Sequence, residues 1–579
     1  MMNKKSLFWL FAMMLTLTMF LAACSEDSKE ETPKDDGKKT ETPTEAEKPE
    51  EDKKGGTLVY GIDASPEGLF NASFYGIATD AEVIDLFDEG LIEYDENLAP
   101  QPNLASWETE DNKVFKFKFE EGVKFHNGDE LTVHDWVFTL ETLANPDYDG
   151  PRYSNVQNIQ GAPDFREGKA DSISGINVIN DYEVEITFDK ARVNNLTDLW
   201  TNVMPSKVFA DIPVAEMSAS EFVRSTPIGL GAFKVSKIVP GESVELVRND
   251  DYWKGEVNLD KIIVRVIDNT STVGALQNED IHMIGLQPVS APEVEKLDNV
   301  EIMTAPGLSY YYVGFKLGKF DNDKLAVTET LPKYQDKKLR QAMMYALNRQ
   351  EWVDAFWFGY AKPVSKPVPS AHWISADESE LNTYDYNPER AMELLDEAGF
   401  VDVDGDGKRE DPNGEKFVVK FSHYATGNPT FEARAKALTQ YWDEIGLSTE
   451  LEMVEVNLYY DMIEKDDPAI ETFFGGWSVG ADPDPTGTQK SDQLWNYTRY
   501  SNPETDQMLT DALDIEVVGT DQEKRKQIYV DWQKIMNEDL PMLYIAELEE
   551  ILGVTSSVGG VTIDVSGLNN PSEWYLIKK

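Results

Sequence analysis

The chain has 579 residues, 41% of them hydrophobic, which is enough to bury several separate cores, so two or three domains are expected. It carries 106 Asp plus Glu against 53 Lys plus Arg, a formal charge of −53. A surface so negative repels nucleic acid and anionic headgroups and argues against a bare phosphate-rich partner.

Lys4 and Lys5 precede an almost wholly apolar run, Leu7–Phe20, which is too short to span a bilayer comfortably and has the form of an export signal. Leu21-Ala22-Ala23 then lead into Cys24, the only cysteine, so no intrachain disulfide can form. This ending resembles a bacterial lipobox, and it predicts cleavage after residue 23 and lipidation of Cys24. Residues 24–54 are charged and proline-rich with Ala46 as the one aliphatic side chain after the cysteine; such a segment cannot bury enough to order itself and reads as a tether.

Folded structure is expected from Gly55, with Leu58-Val59-Tyr60 as an edge strand. Phe115, Phe117 and Phe119 alternate with lysines, the pattern of a half-buried strand. After the Asn127-Gly128-Asp129 turn, Thr132 caps a helix with Asp135 three residues on, and Val133, Trp136, Val137 and Leu140 line one face. His126 and His134 flank that turn without a third ligand nearby, so they are read as structural. Asp171–Phe188 predicts a hairpin, and Val193–Phe209 a connecting segment. Thr226–Val264 predicts three strands separated by glycine turns, with Tyr252 and Trp253 packing between them. Tyr310–Phe315 is a further strand, after which helices dominate. Leu339, Met343, Ala346 and Leu347 share one face; Asn348 and Glu351 start the next helix, whose Trp352, Val353, Phe356 and Trp357 point inward. Asn387-Pro388 opens another, stopped by Gly399, and Phe431, Ala435, Leu438, Trp442 and Ile445 line a longer one. Between them, Asp402, Asp404 and Asp406 with Gly407 resemble a calcium loop, but Asn413 stands where the closing glutamate belongs, so no metal is expected.

Three blocks carry a family resemblance: FHNGDELTVHDWVFTLE (Phe125–Glu141), Thr226–Val264, and DKKLRQAMMYALNRQEWVDAFWFGYAKPVSKPVP (Asp336–Pro369). They resemble the oligopeptide-binding lipoproteins of ABC importers, family 5 of the bacterial extracellular solute-binding proteins. The resemblance implies an α/β, two-lobed fold like that of the periplasmic binding proteins (class II type), with an additional smaller α/β domain and a hinge. Lobe 1 would comprise residues 55–92 and 225–333, the smaller domain 93–224, lobe 2 residues 334–501, and 502–579 would hold transition helices and the C-terminal part of lobe 1. It further implies a monomer on the outer face of a cell membrane of Gram-positive type, capturing oligopeptides between its lobes for the permease subunits, with no cofactor and no catalysis.

The candidate ligand segment is Phe473–Pro485, FFGGWSVGADPDP. Gly475-Gly476 allow close backbone approach, Trp477 offers a flat wall, and Asp482 and Asp484 supply negative charge. In the family a carboxylate behind this tryptophan meets the ligand's α-amine; Asp482 is the first acid after Trp477 and Asp484 the second. Trp495, Asn496 and Tyr497 are candidates for a further part of the wall, as are Tyr310, Tyr311, Phe74 and Tyr75, which lie in segments resembling cleft-lining ones. The alternatives are a sugar, a metal chelate or a peptide signal bound by the same fold, or a secreted hydrolase. Against the last, the sequence has no Gly-x-Ser-x-Gly elbow, no His-Glu-x-x-His and no ligand spacing among its five histidines.

Overall fold

A computed structural model describes residues 53–425 and 430–578; the export signal, Cys24 and nearly all of the tether lie outside the described residues. The smaller domain is built on a four-stranded antiparallel sheet in the order Ala105–Thr109, Val114–Phe119, Glu183–Thr187, Ile176–Asn180. Its phenylalanines at 115, 117 and 119 are buried and the intervening lysines exposed, as the two-residue period requires. The helix Val133–Ala144 covers that sheet, and Asp135 accepts hydrogen bonds from the backbone N–H (3.0 Å) and hydroxyl (3.1 Å) of Thr132 at its start. Trp136 stands edge-on to Phe117 at 4.8 Å and donates its indole N–H to the carbonyl of Trp200.

The largest sheet, of 11 strands, is continuous through both lobes. In lobe 1 it runs Phe233–Val239, Ser243–Arg248, Lys261–Val266, Thr57–Ile62, Met283–Gly285; in lobe 2 it ends with Thr472–Ser478, Val418–Ala425, Ser448–Glu455. Two long antiparallel strands, Val300–Phe315 and Met542–Thr555, join the halves. The strand Thr57–Ile62 is central, not at an edge: it pairs in parallel with Lys261–Val266 on one side and with Met283–Gly285 on the other. Its apolar run has no polar alternation because Leu58, Tyr60 and Ile62 enter one core while Val59 enters a second on the opposite face.

The crossing strands pair Val300–Pro306 with residues 549–555 and Tyr310–Gly314 with residues 542–547, and the register breaks between Pro306 and Tyr310. Gly307 lies in that break, where a Cβ would come within 2.5 Å of the Leu548 carbonyl. One buried cluster spans residues on both sides of two of the expected boundaries. Tyr310–Leu317 pack in the lobe 2 core, and so do Leu509, Tyr529, Trp532, Met536 and Met542–Ala546, so that core continues well beyond Ser501. The lobes change over in mid-strand rather than in a loop, so composition carries no mark of the change.

Candidate ligand site between the lobes

Two adjoining cavities lie along the crossing strands. The first, of about 360 Å³, is lined from lobe 1 by Asp63, Glu82, Glu549 and Glu550, and from lobe 2 by Tyr311, Trp357, Phe431 and Arg434. The second, of about 670 Å³, takes Glu82, Asp85, Ser309, Ser478 and Trp574, and shares Glu82, Gly285, Glu550 and Ile551 with the first. Their walls are polar and apolar in alternation, with charge concentrated on the lobe 1 side. Glu82 and Asp85 are solvent-exposed residues; partial desolvation against the cavity wall, then the charges of Asp63, Asp85 and Glu550, raise the Glu82 carboxyl, and partial desolvation raises Asp85. The strand Thr472–Ser478 pairs with residues 309–315 along its inner edge. Its outer edge meets Val418–Ala425 only through Thr472 and Phe473, and no other strand among the described residues continues that pairing.

Of the ten side chains singled out from sequence, the structure brings only Tyr311 to these cavities. It stacks on Phe474 at 5.3 Å and leans on Trp357 at 5.5 Å. Trp477 is half-buried at the end of the strand Thr472–Ser478 and stacked on Tyr497 at 5.4 Å. Asp482 corrects the expectation of a free amine acceptor: its carboxylate accepts from Arg525 Nη1 at 2.9 Å and Nη2 at 2.8 Å, and from the Thr197 hydroxyl at 3.2 Å. A carboxylate so engaged offers an ammonium ion little. Asp484 accepts from the Thr486 backbone N–H, and burial pushes its carboxyl upward.

Four more are packing groups. Tyr310 is buried beside Tyr312 and Tyr544. Asn496 is buried, donating to the carbonyls of Tyr500 and Lys490. Phe74 belongs to the small-domain core, and Tyr75 lies under the Arg152 guanidinium at 4.4 Å. Trp495 is 55% exposed and lines neither cavity. Tyr252 and Trp253 pack as expected, Tyr252 donating to Glu89.

Arg434, Glu82 and Glu550 went unnoticed in the sequence. The helix Thr430–Glu444 did carry a signal, because Arg434 falls in line with Phe431, Ala435, Leu438 and Trp442 on its otherwise apolar face. Glu82 and Glu550 carried none in a chain with 106 acidic residues.

The model for bacterial extracellular solute-binding proteins, family 5, matches residues 99–502. The chain belongs to that family. Oligopeptide-binding protein AppA of Bacillus subtilis is 28% identical over 586 residues, spanning the whole of both chains. Its structure in complex with a nonapeptide superposes with a TM-score of 0.69 at 26% identity, covering 91% of this chain and all of that one. The ABC transporter substrate-binding protein CtaP of Listeria monocytogenes reaches a TM-score of 0.76 at 26% identity, with the same coverage. Heme-binding protein A of Haemophilus influenzae is 26% identical over 553 residues, 91% of this chain and 92% of that one. The family 5 fold is thus two-lobed and α/β, and its members bind solutes rather than transform them. Among the described residues no helix is long and apolar enough to cross a membrane.

Proposed function

We propose that this protein captures oligopeptides between its lobes at the outer face of the cell membrane, held there by a lipid on Cys24, and delivers them to the permease of an ABC importer. The observation that carries the reading is the pair of cavities along the two crossing strands, each of a size that suits ligand burial. Its support from relatives is the full-length similarity to an oligopeptide-binding protein solved with a nonapeptide. Gly475 and Gly476 lie within the stretch of strand, Phe474–Ser478, whose outer edge pairs with no described strand, and such an edge can pair with a peptide backbone whatever its side chains. Opening and closing would proceed about the register break at Gly307. A hydrolase reading finds no support in the cavities: among the described residues lining them there is no histidine to activate Ser309 or Ser478.

Mass spectrometry of ligand released from protein purified without refolding tests the cargo. A set of short peptides is expected; a sugar, a haem or a metal chelate overturns the reading. For the anchor, Cys24→Ser should move the protein from the membrane fraction to the medium, and a variant that stays membrane-bound rules lipidation out.

A further inference from the structure

The smaller domain is fastened to lobe 1 and touches lobe 2 lightly. On the lobe 1 side His126 accepts from the Gly229 backbone N–H at 3.2 Å and donates to the Gly231 carbonyl at 3.0 Å, and Lys254 pairs with Glu93 at 3.1 Å. Towards lobe 2 the Thr197 hydroxyl donates to Asp482 at 3.2 Å, and Arg192 forms a backbone bridge with Asp514. A cavity of about 350 Å³ stays open between these two surfaces, with Trp107, Phe115 and Leu196 on one wall and Trp373 and Val518 on the other. Because the smaller domain travels with lobe 1, so thin a contact is made and broken as lobe 2 swings.

Charge is out of balance in this contact. On the smaller-domain side the half-buried Asp198 accepts from the Asn194 amide at 2.8 Å and has no ion pair among the described residues. Arg192, the cation on its own segment, is held by Asp189 at 2.7 Å. From lobe 2 it faces Asp482, Asp484 and Arg525, and that guanidinium is engaged by Asp482 through both terminal nitrogens. Asp484, also half-buried, accepts from the Thr486 backbone N–H and has no ion pair among the described residues either. Tyr94 of the smaller domain and His372 and Tyr529 of lobe 2 complete the surroundings. All three are neutral, since burial pushes both phenols up and the imidazole down. Bringing the surfaces together thus strips water from Asp198 and sets it beside two carboxylates, of which only Asp482 is neutralised. Burial, and then the charges of Asp482 and Asp484, push the Asp198 carboxyl up to about 7.

We propose that the contact between the smaller domain and lobe 2 is a proton-operated latch: Asp198 takes up a proton as the surfaces meet, so the protein closes more readily in acid and opens more readily in alkali. This rests on the hinge motion proposed above and not on the identity of the cargo. Away from lobe 2, Asp198 returns towards the ordinary carboxylate range near ~4, so the closed-to-open ratio of the ligand-free protein should rise about tenfold from pH 8 to pH 6. Single-molecule fluorescence transfer reads that ratio between dyes on Ser106→Cys and Gln527→Cys, exposed uncharged positions on the two sides, in a Cys24→Ser background that removes the one native thiol. Asp198→Asn should hold the acid ratio at both pH values. Asp484→Asn, which removes the uncompensated neighbour, should raise the closed fraction at pH 8 and shrink the pH dependence. Two populations in the same ratio at pH 8 and pH 6, or an Asp198→Asn protein that follows pH as the parent does, overturns the inference and leaves the hinge standing. A single distance at every pH overturns the hinge as well.

Discussion

Replacing Asp482 by Asn separates two roles for this residue, an amine acceptor for the ligand and one half of a buried ion pair. The two side chains of the Asp482–Arg525 pair are only 12% and 8% exposed and meet through two N–H···O bonds of 2.9 and 2.8 Å. Breaking such a pair costs about 3–5 kcal/mol because the surviving charge stays buried. Here the cost is reduced. Arg525 keeps its bond to the Ala512 carbonyl, and Asp484 and Asp198 remain close enough to act on it, so about 2–3 kcal/mol is expected. Arg525→Met should cost more, because it leaves Asp482 facing those two carboxylates with no cation between them. The double variant should be more stable than the two single losses add up to, by at least about 1 kcal/mol. Urea denaturation of the four proteins reads these values, and calorimetry with free-amine and N-acetylated peptides reads the other role. If Asp482→Asn unfolds with the wild-type midpoint yet loses free-amine peptides selectively, the structural account of this pair is wrong.

Three further changes have worked directions. Asp466 accepts from Lys316 at 2.5 Å, Arg499 at 2.8 Å and the Phe320 backbone N–H at 2.8 Å; Asp466→Asn strands two buried cations and should cost about 3–5 kcal/mol in the same denaturation assay, against little for an exposed aspartate such as Asp250. Gly307→Ala drives a Cβ against the Leu548 carbonyl; a loss of about 1–3 kcal/mol and an altered radius of gyration in small-angle scattering are expected, and an unchanged profile would argue against a hinge there. For pH, burial holds Asp88 and Asp198 up at about 7 in the folded state, with Glu82 and Asp85 also raised, so the folded protein takes up protons that the unfolded chain refuses and gains stability as pH falls from 7 toward 4. Burial holds His126 down at about 4 and His423 at about 3, so below 6.5 the unfolded chain takes up protons that these two refuse, which subtracts stability in the same window. Asp80, Glu141 and Asp484 are raised as well and His282 and His372 lowered, so seven carboxyls against four histidines predict a melting temperature that rises between about pH 8 and 5.5; a monotonic fall across that range contradicts the assignment.

What could be read ahead of the structure depended on whether a residue's role is local. Phe115, Phe117 and Phe119, the Thr132–Asp135 start, and the caps at Asn348 and Asn387 are set by neighbours a few positions away, and each formed where the pattern placed it. Leu58–Tyr60 was legible as a strand but not as a central one, since its two partners come from about 200 residues downstream. The site was the least legible part for the same reason. Trp477 and Asp482 stand close together in sequence, in a loop-like run of glycine, proline and acid, yet the strand turns one onto Tyr497 and Arg525 claims the other from 43 positions away. Conversely, Glu82 and Arg434 lie on two helices and Glu550 on a crossing strand, all far apart in sequence, and they line one cavity only in the folded chain. A charge is informative there only when its pairing is known, and pairing is a property of the folded chain.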